Sequence, residues 1–163
     1  MKKLILLAAF GLFTATQSNA QEVFNQVVSN AKLVLEDPKA DQFLIAISQF
    51  KYTALQYLCT TAIKRKGGPV EADMLDRQAY ALNHFIISYF SELAKAQRSS
   101  DTAQKDIMKK YWRATAENPM FNDADKEKTE AFLNDPECIT PFSIDTNWEL
   151  ADQFITEKKN KSK

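Results

Sequence analysis

Residues 44–96 read LIAISQFKYTALQYLCTTAIKRKGGPVEADMLDRQAYALNHFIISYFSELAKA, and this stretch decides the fold. Before the glycines, Leu44, Ile47, Phe50, Ala54, Leu58 and Ala62 recur at three- and four-residue steps. Tyr52, Leu55, Cys59 and Ile63 form a second apolar stripe. A helix from about Ala40 to Lys64 accommodates both, and stripes covering more than half its circumference predict that it is the central helix. Lys64-Arg65-Lys66 suits the negative end of that helix. Gly67-Gly68 can take left-handed dihedrals, and Pro69 cannot continue a helix. After this turn Leu75, Ala79, Leu82, Ile86, Phe90 and Leu93 mark another helix, about Glu71 to Gln97. Two such helices, each roughly 35–40 Å long at the α-helical rise, predict a long antiparallel hairpin as the spine of the domain.

The flanking sequence extends this pattern in both directions. Val23, Phe24, Val27, Val28, Ala31, Val34 and Leu35 predict a first helix over Glu22 to Glu36, stopped at Asp37-Pro38, with Asp37 capping the next helix. Arg98-Ser99-Ser100 breaks the third helix. Asp101 with Gln104 opens a fourth, which carries Ile107, Met108, Tyr111, Trp112 and Thr115 and ends at Asn118-Pro119. A short helix over Ala124 to Leu133, capped by Asp123, and a last helix capped by Thr146 and Glu149 complete the expected set. The last helix buries Trp148, Ala151, Phe154 and Ile155. The chain therefore reads as an all-α, single-domain bundle of about six helices.

The N-terminus predicts export. Lys2 and Lys3 precede the apolar run Leu4 to Phe13, and Ser18-Asn19-Ala20 places small residues where a signal peptidase reads, so residues 1–20 are expected to be a signal peptide cut before Gln21. The apolar run is about half the ~20 residues of a membrane-spanning helix, which disfavours an uncleaved anchor. Gln21 stands where a lipoprotein needs cysteine. No later segment reads as transmembrane, because Ser48, Gln49, Lys51 and Gln56 interrupt the most apolar stretch, Phe43 to Ile63. The expected address is periplasmic or secreted.

Cleavage would change the charge balance. The full chain has 21 basic and 21 acidic side chains, so loss of Lys2 and Lys3 leaves a net of −2. Lys158, Lys159, Lys161 and Lys163 lie in the last six residues, leaving the body over 21–157 at −6 and the tail, 158–163, as an expected disordered basic segment. An acidic body lacks the basic face that displaces counterions from phosphates, so no nucleic-acid partner is expected.

Composition also limits the chemistry. Beyond residue 20 the only glycines are Gly67 and Gly68, and His84 is the single histidine. Phosphate-cradling loops, a nucleophile elbow and a multi-histidine zinc site have no residues to build them, and no cofactor or metal is expected. His84 sits between Tyr80 and Ser88 on one helix face, with no carboxylate at three or four residues' distance to orient its ring. It is expected to be structural rather than catalytic. The acidic run Asn122-Asp123-Ala124-Asp125-Lys126-Glu127 has Lys128 where a calcium loop needs its invariant glycine and Asn134 where it needs a bidentate Glu, so it reads as a solvated helix start. Tyr52, Tyr57, Tyr80, Tyr89, Tyr111, Trp112 and Trp148 fit either a ligand groove or a core, and helical spacing favours the core. Asp101-Thr102-Ala103 matches a short bacterial O-glycosylation tripeptide, although a helix cap accounts for it equally.

Gln49-Phe50-Lys51 with Ala54-Leu55, Asn118-Pro119-Met120-Phe121-Asn122, and Thr140-Pro141-Phe142-Ser143-Ile144-Asp145-Thr146 with Trp148-Glu149 resemble a family of small exported, all-helical bacterial proteins of uncharacterised function. The resemblance implies export and an all-helical fold, and it brings no functional residue with it. The functional expectation is a non-catalytic helical module that binds a protein or a cell-envelope component. A carrier of a hydrophobic ligand such as haem or lipid, held by tyrosines or His84, and a carboxylate-dependent hydrolase are the alternatives.

Cys59 and Cys138 are the only cysteines, and an even count in an exported chain predicts a disulfide between them. The competing reading is two buried thiols, since Cys59 lies on an apolar stripe. A bridge would close about 80 residues, for which loop entropy gives about 4.5 kcal/mol of stabilisation. Thiol titration of the denatured, unreduced protein is expected to find no free thiol, and reductant is expected to release both.

Overall fold

A computed structural model describes residues 21–122 and 142–161, and the architecture is all-helical. Among the described residues there are five helices: α1 (Glu22–Glu36), α2 (Gln42–Lys66), α3 (Ala72–Ala96), α4 (Asp101–Ala116) and α5 (Trp148–Lys161). The expected signal peptide, the short helix over 124–133, the acidic run beyond Asn122 and Cys138 lie outside the described residues. None of the described helices is long and apolar enough to cross a membrane.

Helix boundaries follow local capping chemistry, displaced by a residue or more from the pattern expected. Asp41, not Asp37, caps α2: its side chain accepts from the Phe43 N–H at 2.9 Å, while Asp37 closes the preceding turn by accepting from Lys39 N–H. Ser100, not Asp101, caps α4 through the Ala103 N–H. Thr146 does not cap α5; its hydroxyl donates to the Ser143 carbonyl, and Asn147 accepts from the Leu150 N–H instead. The end of α2 is as its sequence dictates. Gly67 takes φ 70° and its N–H closes on the Ile63 carbonyl. At the other end of the chain, α5 runs to Lys161, past residue 157 where the body was expected to give way to a disordered tail. Lysine is a good helix former, so the ladder has no local reason to stop at 157.

Packing places α3, rather than α2, at the centre. α3 touches α1, α2, α4 and α5, whereas α2 packs chiefly along α1. Between the long helices α2 and α3, Phe43 is edge-on to Phe90 and Lys51 Nζ donates to Asn83 at 2.6 Å. They lie together over only a short stretch, because α1 packs along both. The apolar surface that made α2 look central is covered by α1 and by the segment that follows residue 141. From that segment Phe142 and Trp148 both meet Phe50 of α2 and Phe85 of α3 edge-on, at centroid separations of 5.3–6.0 Å. Tyr89 and Tyr111 extend this aromatic layer toward α4. Phe85, Tyr89, Tyr111, Phe142 and Trp148 are all buried, so the layer is the middle of the core.

Two helix starts are fastened to α3 by its side chains. Gln21 has no capping side chain, and the Phe24 N–H at the start of α1 instead donates to Asp76 Oδ1 at 2.8 Å. At the start of α5, the Trp148 N–H donates to Gln78 Oε1 at 2.7 Å, and Gln78 Nε2 donates to Asn147 Oδ1 and Glu149 Oε2. Gln78 is only 1% exposed, so its amide and the Trp148 N–H depend on one another for partners. Gln78→Leu keeps the volume and removes these bonds, and is expected to lower unfolding free energy by about 2–4 kcal/mol in denaturant melts. Gln78→Glu keeps the acceptor for Trp148 but sets a carboxylate beside Glu149, and is expected to lose stability as well, with partial recovery as pH falls.

Candidate functional site

The starts of α1 and α5 each lie against the first half of α3, and a groove of about 350 Å³ lies between them. Val23, Tyr80 and Ala81 provide its apolar surfaces, while Asp76, Arg77, Glu149, Asp152 and Gln153 provide polar ones. Its shape follows from the caps: Asp76 and Gln78 hold two helix ends against α3, and the side chains of the first turns border the space between.

Along α3, the positions 73, 77, 80 and 84 recur at helical spacing and carry Asp73, Arg77, Tyr80 and His84 on one side. Arg77 ion-pairs with Asp73 on its own helix and, through Nε, with Glu149 Oε1 of α5 at 3.2 Å. One turn further on, His84 Nδ1 lies 2.8 and 2.9 Å from the two Asp152 oxygens. Asp152 is thus the carboxylate that orients His84. It comes from another helix, 68 residues away, where no local spacing could reveal it. The ring is not a core side chain: 48% of the His84 side chain is exposed. Tyr80 is 56% exposed and its ring is parallel to that of His84 within 2°, at a centroid separation of 6.4 Å. Together the two rings form an aromatic ledge beside the groove.

With Nδ1 turned to a carboxylate, a neutral His84 carries its proton on Nδ1 and presents Nε2 as an acceptor. Nε2 has no hydrogen-bond partner among the described residues. The acids around the groove are already engaged, with Asp76 on the Phe24 N–H, Glu149 on Arg77 and Gln78, and Asp152 on His84. No group of three or more His, Cys, Asp or Glu side chains among the described residues is placed to hold a metal ion.

Other residues singled out by sequence lie elsewhere. Tyr89, Tyr111 and Trp148 are core. Tyr57 packs edge-on to Phe121, and Tyr52 lies under the Lys32 ammonium. Cys59 is half-buried on α2 and burial pushes its thiol pKa up, the opposite of an activated nucleophile. A second polar cluster lies deeper, where Lys110 of α4 meets Glu92 of α3 at 3.0 Å. Burial first, and then the Glu92 and Asp152 carboxylates, raise the neighbouring Tyr111 hydroxyl above its ordinary range, so Tyr111 stays protonated.

No family model, no curated protein and no solved structure matches this chain.

The surroundings of Lys51 carry a pH signature. Burial lowers its pKa from 10.5 to about 8. Between those values the unfolded chain binds more protons than the folded one, so this group's penalty is present below pH 8 and disappears as pH rises to 10.5. Lys51→Met is therefore expected to be more stable than wild type at pH 7, by roughly 2 kcal/mol after allowance for partial solvation. Urea melts at pH 7 and pH 10 are expected to show that advantage shrinking at the higher pH.

Proposed function

We propose that the protein is an exported, non-catalytic helical module that binds a cell-envelope component through the groove between α1, α3 and α5. The observation that carries this reading is the exposed Tyr80 and His84 ledge beside a groove whose polar side chains are held in place from within the fold. A rigid aromatic surface with oriented polar neighbours gives contact area at low entropic cost. The acidic body and the export expected from residues 1–20 support a partner outside the cytosol rather than a nucleic acid.

The alternatives draw less support from the same side chains. A haem or lipid carrier gains a coordinating nitrogen in His84 Nε2, but the groove is an open one and does not enclose a ligand. A carboxylate-dependent hydrolase gains Asp76, Glu149 and Asp152 around one space, yet each is committed to an internal partner.

Sedimentation with isolated cell-envelope fragments tests the proposal. The wild-type protein is expected to bind saturably. Gln153→Trp, which fills the groove from an exposed position, is expected to weaken binding about tenfold, while Lys109→Ala on α4 binds as wild type. Undiminished binding by Gln153→Trp would overturn the assignment of the groove.

A further inference from the structure

Resting on the reading of this groove as the binding site, we infer that its ligand is an uncharged pyranose oligosaccharide, stacked on Tyr80 and hydrogen-bonded by Arg77, Glu149 and His84. A pyranose has one face of C–H bonds and an equatorial rim of hydroxyls. It therefore suits a site that offers an open aromatic ring for the face and paired donors and acceptors for the rim.

The ledge meets the first requirement. More than half of the Tyr80 surface is open, the ring borders the groove, and Val23 and Ala81 continue the apolar surface beside it. The parallel His84 ring extends the ledge one helical turn along α3.

The rim is met by polar groups that are already engaged with one another. The Arg77 guanidinium lies between Asp73 and Glu149, and its pairing with Glu149 places a fork of donors beside carboxylate acceptors, the spacing that adjacent hydroxyls bridge. His84, fixed by Asp152, adds an outward acceptor at Nε2. An anionic ligand would meet the excess of Asp73, Asp76, Glu149 and Asp152 over Arg77, and a cationic one would compete with Arg77 for its carboxylate partners. A hydroxyl can join each pair and leave it intact, which is why the class inferred is an uncharged one. The pairs also hold the side chains in place before any ligand arrives, so little rotamer freedom is lost on binding. A volume of about 350 Å³ corresponds to one or two sugar rings rather than to a long polymer, and the open groove lets further units extend outward.

The test is titration of the exported form with chitotriose and, separately, maltotriose, followed by calorimetry and by amide chemical shifts. One of the two is expected to bind with shifts confined to residues around Tyr80, His84 and Asp152. Tyr80→Ala is expected to weaken that binding about tenfold and Tyr80→Phe to preserve it, because the ring face and not the hydroxyl makes the contact. Circular dichroism of each variant checks the helical fold. Equal binding by Tyr80→Ala would overturn the stacking, and so would shifts at a distant surface. Absence of binding by both sugars, together with loss of envelope binding in Gln153→Trp, overturns the saccharide and leaves the groove. Envelope binding undiminished in Gln153→Trp overturns both.

Discussion

Gln78 is the residue on which the arrangement of the other elements turns. A buried primary amide has to satisfy an acceptor and a donor pair, and here each atom is directed at the start of α5: Oε1 to the Trp148 N–H, Nε2 to Asn147 and Glu149. Those bonds set the axial position of α5 on α3. With it they set where Trp148 enters the aromatic layer and where Glu149 and Asp152 stand along α3. Apolar contacts alone tolerate small sliding of one helix over another, whereas a buried amide that loses its partners pays a desolvation penalty in every shifted register. Asp76 does the same for α1, two residues earlier on the same helix.

The aromatic layer is the second constraint. Phe50, Phe85, Phe142 and Trp148 meet edge to face from three separate parts of the chain, and this packing, rather than a continuous α2–α3 contact, joins the long helices. The segment leading into α5 is tied down by polar bonds as well. Phe121 N–H donates to Asp145, Asn147 N–H donates to the Asn118 carbonyl, and Arg65 reaches the Phe121 carbonyl from the end of α2. The loop after α4 and the approach to α5 are thus held to one another and to α2.

Much of the fold was legible because helical periodicity and punctuation are local. Leu75, Ala79, Leu82 and Ile86 repeat on one face, and Gly67 supplies the left-handed residue that ends α2, so helix existence and order followed from spacing. Which helix is central was not legible: both long helices are apolar enough, and the choice depends on where α1 and Phe142 pack. Some caps moved by one residue where two acceptors stand side by side, as with Ser100 and Asp101. The site was hidden for a related reason. Tyr80 and His84 are visible as neighbours on α3, but the carboxylate that orients His84 and the one that pairs with Arg77 come from α5, and periodicity within α3 says nothing about them.

The borrowed cap on α1 has a consequence for the groove. Because α1 starts against Asp76 and Val23 borders the groove beside Tyr80, the first turn of α1 is both a helix start and a wall of the groove. A side-chain change in the first turn of α1 would therefore be felt at the groove as well as at the helix start.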